Sequence, residues 1–118
     1  MADTVEASGI DWKGIAGAWF NAAKAKLSGY LKDHQEAEQF LLKCSQEVAK
    51  LGVLHFLAPT DGEKAAIDAA IEDYKRGMME EGDAVIVDAE GLSKSTFMEI
   101  LDTAVTMGVK MIPILLKM

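Results

Sequence analysis

The sequence predicts an all-α, mainly helical fold with about four helices in a small bundle. Hydrophobic residues recur at spacings of three and four over most of the chain, which is the pattern of amphipathic helices. Aromatic residues make up only 7% of the chain, which suits closely packed helices better than a β-sandwich. At 118 residues, the chain has the usual length of one domain and needs no disulfide or metal to fold.

The beginning of the chain predicts a mobile leader over residues 1–10, followed by a single helical domain over residues 11–118. Asp11 is a suitable N-cap, and helical spacing continues from Trp12 to about Leu31. Lysines and small polar residues fall along one stripe of this helix, opposite a broad apolar face. The leader is small, polar and without a pattern, so we expect it to lack regular structure.

The second helix is predicted from Gln35 to about Ala58, because Pro59 cannot continue it and restricts the residue before it. At about 1.5 Å per residue, the first two helices would each span on the order of 30 Å. Their matching lengths predict that the bundle begins with an antiparallel helical hairpin.

The third helix has the clearest start signal in the chain. Thr60 and Glu63 form a capping-box pattern, and helical spacing continues to about Glu81, with Gly82 as the predicted stop. The segment 83–88 then places three β-branched residues between acids, which predicts a short extended connector. A strand paired across a homodimer is the alternative, because the chain offers this segment no other strand.

The fourth helix is predicted from Lys94 to Met111, capped by Ser93 or Ser95, with Pro113 ending or kinking it. The chain then finishes in an apolar segment, and residues 105–118 together form a candidate partner-facing tail. The residues predicted to be buried in the core are Phe20, Leu27, Phe40, Leu41, Val48, Leu51, Ile67, Ile71, Tyr74, Ile100 and Leu101.

Charge is strongly segregated along the chain, whose formal net charge is −7. Residues 61–90 hold ten acids and three bases, which accounts for the whole imbalance. An acidic surface repels phosphates, so we expect no nucleic-acid binding through phosphate contacts. The acidic block predicts a solvated face that keeps the protein soluble.

The cysteine content and the N-terminal residues predict a cytoplasmic location, which would be replaced by a place within a viral particle if the protein is a virion component. Cys44 is the only cysteine, which fits a reducing compartment. The first residues lack the cationic start and long apolar stretch of a secretory signal.

The residues that carry catalytic chemistry do not form a recognisable pattern, so the sequence predicts neither an enzyme nor a cofactor or metal site. Two histidines and one cysteine cannot complete a zinc tetrad. His34 and Glu38 lie one helical turn apart, which is more typical of a surface contact than of a metal site. Cys44 lies on an apolar helix face, far along the helix from His55, so it is interpreted as a buried packing residue.

The apolar end of the chain predicts a protein-protein interaction or structural assembly subunit, acting as a homo-oligomer or within a larger complex. Six of seven methionines lie in the last 41 residues, and methionine suits surfaces that adapt to partners. This plain, helical character is also typical of viral and phage structural or accessory proteins. The predicted interface residues are Met107, Met111, Ile112, Ile114, Leu115, Leu116, Trp12, Trp19 and His55.

Two other functions remain open from the sequence. The bundle could hold an apolar small molecule oriented by His55, Tyr30 or Tyr74. Alternatively, the helix at residues 12–31 could contact a membrane surface, because it sets tryptophans opposite a lysine stripe. A membrane-spanning segment is not predicted, since the apolar end contains Lys110 and Pro113 and falls short of about twenty apolar residues.

Overall fold

The computed structural model describes Val5 and residues 8–117, and it shows the predicted all-α fold. Its helices are α1 (Trp12–Asp33), α2 (Gln35–Leu57), α3 (Asp61–Val85) and α4 (Lys94–Lys117). Within the described residues no β-strand forms, and backbone pairing between Ala89 and Leu92 is a single isolated bridge. Residues 83–85 belong to α3, so only residues 86–88 of the predicted connector lie outside a helix.

The predicted mobile leader lies partly outside the described residues, because residues 1–4, 6 and 7 are not among them. Val5 is buried in the core at 1% exposure. The main-chain oxygen of Val5 accepts hydrogen bonds from the hydroxyl of Ser8 at 2.6 Å and from its N–H at 3.3 Å. Part of the N-terminal segment thus packs against the bundle.

Three of the four helix starts in the described residues follow local capping chemistry, as predicted, whereas α2 begins after His34 without a side-chain cap. Asp11 Oδ1 accepts from the Gly14 N–H at 3.0 Å. Thr60 Oγ1 accepts from the Glu63 N–H at 3.2 Å. The reciprocal bond of a full capping box, from the Thr60 N–H to the Glu63 carboxylate, is not present among the described residues, so only half of that motif forms. Ser93, rather than Ser95, caps α4.

The first two helices form the predicted antiparallel hairpin, with His34 as the only residue between them. Near the turn, Lys24 Nζ lies 2.9 Å from Glu38 Oε1. At the other end of the pair, Lys50 Nζ lies 4.8 Å above the ring of Trp12. Because the beginning of α1 contacts the end of α2, the two helices run in opposite directions.

Helix α2 packs against the other three helices and forms the centre of the bundle. Seven of the predicted core residues are buried, whereas Phe20, Ile67, Tyr74 and Ile100 are half-buried and pack against the core from its edge. The seven buried ones are Leu27, Phe40, Leu41, Val48, Leu51, Ile71 and Leu101.

Helix α3 continues past Gly82, so the predicted stop at that glycine is wrong. The Ile86 N–H donates to the Gly82 carbonyl oxygen at 2.8 Å, which completes the last turn. Gly82 is buried, and a Cβ built there would lie 2.5 Å from Met98 Cε. The glycine therefore provides room for a neighbouring helix, and the extended connector starts at Ile86 instead of Asp83.

Helix α4 also extends further than predicted, through Pro113 to Lys117. A proline inside a helix removes one hydrogen bond and costs about 3 kcal/mol. Ile112, immediately before it, is buried, and Leu116, one turn later, packs against the core. Packing on both sides of the proline stabilises the continued helix.

The connector between α3 and α4 is held against α1 by Tyr30. The tyrosine hydroxyl donates to the Val87 carbonyl oxygen at 2.8 Å and accepts from the Val87 N–H at 3.1 Å. Gly91 has a φ of +85°, which favours glycine and allows the turn that follows. Asp88 Oδ1 accepts from the Lys94 N–H at 2.7 Å, at the start of α4.

Candidate interaction surface

Helix α4 has two apolar faces, of which only one is covered. The buried face contributes Phe97, Met98, Leu101, Val105, Val109 and Ile112 to the core. The second face consists of Met107, Met111 and Ile114, with the half-buried Ile100 at its beginning, and we call these four residues the outer strip. Met107, Met111 and Ile114 are 57%, 47% and 54% exposed, and Leu115 beside them is 59% exposed.

A shallow groove separates the outer strip from α1. It encloses a depression of about 180 Å³ with predominantly apolar walls. Small residues form much of this groove, which allows a large side chain from outside to approach closely. The walls include Trp19, Ala22, Ala104, Met107, Gly108 and Met111.

Trp19 and Gly108 set the shape of the groove. The indole N–H of Trp19 donates to the Ala104 carbonyl oxygen at 2.9 Å. A Cβ on Gly108 would lie only 2.6 Å from the indole nitrogen, so the ring can rest on α4 only because this residue is glycine. The groove is thus a consequence of one close approach between two helices.

Lysines border the outer strip, and the acidic helix α3 lies along the flank of α4 that carries Lys110. Lys26 lines the groove from α1, and Lys110 and Lys117 are exposed on α4. Helix α3 carries eight acids and three bases, a net charge of −5.

The structure places the predicted interface residues in different environments. Met107, Met111, Ile114 and Leu115 are exposed, and Leu116 is half-buried against the core. Ile112 is only 4% exposed, so its prediction as an interface residue is corrected. It falls on the face of α4 that meets α2, where it lies over Gly52.

The other three predicted residues do not all belong to this surface. Trp19 lines the groove beside the outer strip. Trp12 packs against the core under Lys50. His55 lies between α2 and α3, where its Nε2 is 3.2 Å from Asp68 Oδ1, and its side chain is 26% exposed.

Sequence reasoning missed the α1 side of the groove. Ala22, Lys26 and Gly108 were not predicted to belong to an interface. The signal that could have identified the outer strip is its spacing, since Ile100, Met107 and Ile114 are each seven residues apart.

Cys44 is a poor candidate for a nucleophile in this fold. Its side chain is buried at 1% exposure, and burial raises the pKa of the thiol to about 11. The pKa of Tyr74, which lies beside this thiol, is also raised because its hydroxyl is desolvated by burial. The thiol is therefore protonated at neutral pH, and a reactive thiolate is disfavoured.

Two further depressions lie at opposite ends of the bundle. One, of about 610 Å³, is open and lined by groups of both charges, including Lys26, Asp33 and Glu90. The ring of His34 stacks on Tyr30 there, with centroids 4.1 Å apart. The other, of about 400 Å³, is an apolar hollow beside the turn between α2 and α3.

Neither metal ligation nor membrane crossing finds support in the described residues. Among them, no group of three or more His, Cys, Asp or Glu side chains is placed to hold a metal ion. In the same part of the chain, no helix has both the length and the apolar character needed to span a membrane. Comparison of the chain with protein-family models, with curated proteins and with solved structures gives no match.

Proposed function

We propose that this chain is a non-enzymatic protein-protein interaction or structural assembly subunit. Its docking surface is the outer strip of α4 together with the groove against α1. The observation that carries the proposal is the alignment of Met107, Met111 and Ile114, each about half exposed, on one face of a helix whose opposite face is buried. Apolar surfaces of this kind, bordered by polar residues, are typical of interaction sites.

A protein fits this surface better than a small molecule does. The depression of about 180 Å³ is below the range of roughly 300–1,000 Å³ that is usual for ligand pockets. The outer strip extends from residue 100 to residue 114, which is about 21 Å along the helix axis. A surface that is long and shallow favours another helix as its occupant.

The surface also fits a protein better than it fits a membrane. The tryptophans that suggested membrane contact, Trp12 and Trp19, pack against the core instead of pointing outward together. The expected location in the cytoplasm belongs to the same proposal and rests on the single cysteine, Cys44, whereas a place within a viral particle applies only if the protein is a virion component.

The direct experiment replaces Met107 with the photo-crosslinking residue benzoylphenylalanine in the cells from which the protein comes. Illumination should produce one covalent adduct of discrete, higher mass, because the side chain at this position faces the partner. Ala69, which is exposed on α3, is the matched control position and should give no discrete adduct. An absence of protein adducts at position 107 would contradict the proposal.

A second experiment removes the apolar character of the surface while keeping the fold. Met107→Gln with Met111→Gln should release the chain from its complex, whereas Met79→Gln, at a residue 43% exposed on α3, should not. Circular dichroism should remain helical in both variants. Deleting residues 112–118 would be a poor test, because Ile112 belongs to the core.

A further inference from the structure

We propose that the occupant of this surface is a second copy of the same chain, packed antiparallel about a two-fold axis that passes beside Met107. This inference rests on the proposed function and names its partner. Two α4 helices would lie face to face, each with its outer strip against the groove of the other copy. The contact would be isologous, so that the same residues serve on both sides.

The spacing of the outer strip matches helix-on-helix packing. Ile100, Ala104, Met107, Met111 and Ile114 alternate at intervals of four and three, which is the heptad pattern of positions that meet a partner helix. The strip is also symmetric about its centre. Ile100 and Ile114 lie seven residues on either side of Met107, so an antiparallel pair sets each isoleucine opposite the other.

The groove and the methionines are complementary in shape. Met107 projects from the surface with 57% of its area exposed, and the neighbouring depression of about 180 Å³ is wide enough for one such side chain. Trp19 provides one apolar wall of that depression, and Gly108 and Ala22 leave it open. In a two-fold contact the same face of the chain must carry both the projecting side chain and the depression that receives it from the other copy.

The charges at the edge of the outer strip favour the antiparallel direction. Glu99 and Lys117 are both exposed and lie 18 residues apart, which is five full turns, so they share one flank of α4. With the axis at Met107, Lys117 of one copy lies about 3 Å along the helix from Glu99 of the other, within reach of these long side chains. Lys110 would face Thr103 and Ala104 of the second copy.

A parallel arrangement fits the charges less well. It would place the flank of α4 that carries Glu99 and Lys117 on opposite sides of the pair in the two copies, so these two charges could not meet. The antiparallel arrangement, which brings Lys117 of one copy to Glu99 of the other, is the better match.

The available area is close to what a stable dimer needs. With the axis at Met107, the two α4 helices overlap over residues 97–117, which is about 30 Å, and two helices side by side present a face about 20 Å wide. The resulting face of roughly 600 Å² compares with about 800 Å² per partner in a standard interface.

Disulfide trapping tests both the identity of the partner and the relative direction of the two α4 helices. Met107→Cys should form a covalent dimer on mild oxidation, because the two positions meet at the axis. Ile114→Cys alone should not, since its two copies would lie about 21 Å apart along the helices. A mixture of Ile100→Cys and Ile114→Cys chains should cross-link, and the unmodified protein, with only the buried Cys44, is the control.

The contrary outcomes are equally specific. Efficient cross-linking of Ile100→Cys and Ile114→Cys each with itself would indicate parallel helices and would overturn the antiparallel arrangement. If none of these variants cross-links, and the folded chain sediments as a monomer at high concentration, then the second copy is not the partner and the inference is overturned.

A charge exchange gives an independent readout by sedimentation. Lys117→Glu should raise the dissociation constant of the dimer about three- to tenfold, since exposed ion pairs contribute little individually. Adding Glu99→Lys to Lys117→Glu should restore the original value, because the pair is rebuilt with its charges exchanged. A double variant as weak as the single one would contradict the proposed contact.

The photo-crosslink at Met107 separates this inference from the proposed function. An adduct with a second copy supports both. An adduct with a different protein keeps the proposed function and overturns the second copy as partner. Capture of lipid without any protein adduct overturns both.

Discussion

The indole N–H of Trp19 donates to the carbonyl oxygen of Ala104 at 2.9 Å, joining α1 to α4 across 85 positions of the sequence. Gly108, one turn later, leaves the space that the indole ring occupies. The same ring forms a wall of the groove beside the outer strip. One contact therefore stabilises the fold and shapes the surface that we propose for binding.

Gly108→Ala should destabilise the protein. Its Cβ would lie 2.6 Å from the indole nitrogen of Trp19 and 3.0 Å from Val48 Cγ1, so the ring must move. We expect a loss of about 1–3 kcal/mol in the free energy of unfolding, measured by urea titration, together with altered tryptophan fluorescence.

Gly77→Ala is the matched control, because no neighbouring atom lies within 4 Å of the position that a Cβ would take there on α3. Alanine there should be neutral or stabilise by about 0.5–1 kcal/mol, through helix propensity alone. Equal effects of the two substitutions would contradict the close packing of Trp19 on α4.

Gly52→Ala should cost more stability than Gly82→Ala. At Gly52 the new Cβ would meet the Cβ of Ile112 at 2.8 Å, close to a backbone that cannot move freely. At Gly82 it would meet the flexible end of Met98, which can rotate away. Urea unfolding of both variants measures the two losses of stability. A larger loss for Gly82→Ala than for Gly52→Ala would contradict the close packing of Ile112 on Gly52.

Tyr30→Phe should loosen the connector between α3 and α4. The substitution removes two hydrogen bonds to the backbone of Val87, and we expect a loss of about 1–3 kcal/mol. Hydrogen exchange at the Val87 amide should accelerate more than exchange at buried amides of α2. Unchanged exchange at Val87 would show that the connector is held by other contacts.

Alkaline pH should destabilise the protein through Cys44. Burial raises the pKa of the thiol from 9.0 to about 11 in the folded chain, so between these values the unfolded chain releases a proton that the folded chain retains. The free energy of unfolding should therefore fall as pH rises from about 9 to 11, by on the order of 2–3 kcal/mol. Below pH 9 this contribution is absent.

Cys44→Ala provides the comparison for that pH dependence. Urea titrations at several pH values should show a shallower decline in this variant than in the unmodified protein. In the folded protein below pH 9, the thiol should also react slowly with a disulfide reagent and react fully once unfolded. Rapid reaction in the folded state would contradict the burial of Cys44.

The helix starts and the first hairpin were predictable because their causes are local. Asp11, Thr60 and Ser93 cap the helices that follow them, because the side-chain oxygen of each accepts a hydrogen bond from the backbone N–H three residues later. The ends of α3 and α4 were not predictable in the same way. At Gly82 and Pro113, residues that usually end helices remain helical, since contacts with other helices outweigh their local preferences.

The candidate surface was predictable only in part. The sequence located an apolar, methionine-rich end, and Met107, Met111, Ile114 and Leu115 are indeed exposed. It could not separate Ile112 from its neighbours, because apolar residues on both faces of α4 have similar spacing. Which face is covered depends on where α2 lies, and residues 48 and 52 are far from α4 in the sequence.

By itself, the sequence determined the helical class, the helix starts, the hairpin and the separation of acidic from apolar segments. These depend on periodicity, on caps and on composition, which act over a few residues. The tertiary structure alone decided that α4 continues through Pro113, that Ile112 is buried and that Trp19 and Gly108 form a groove. Each of these depends on close packing between helices, whose contacts join residues that are distant along the chain.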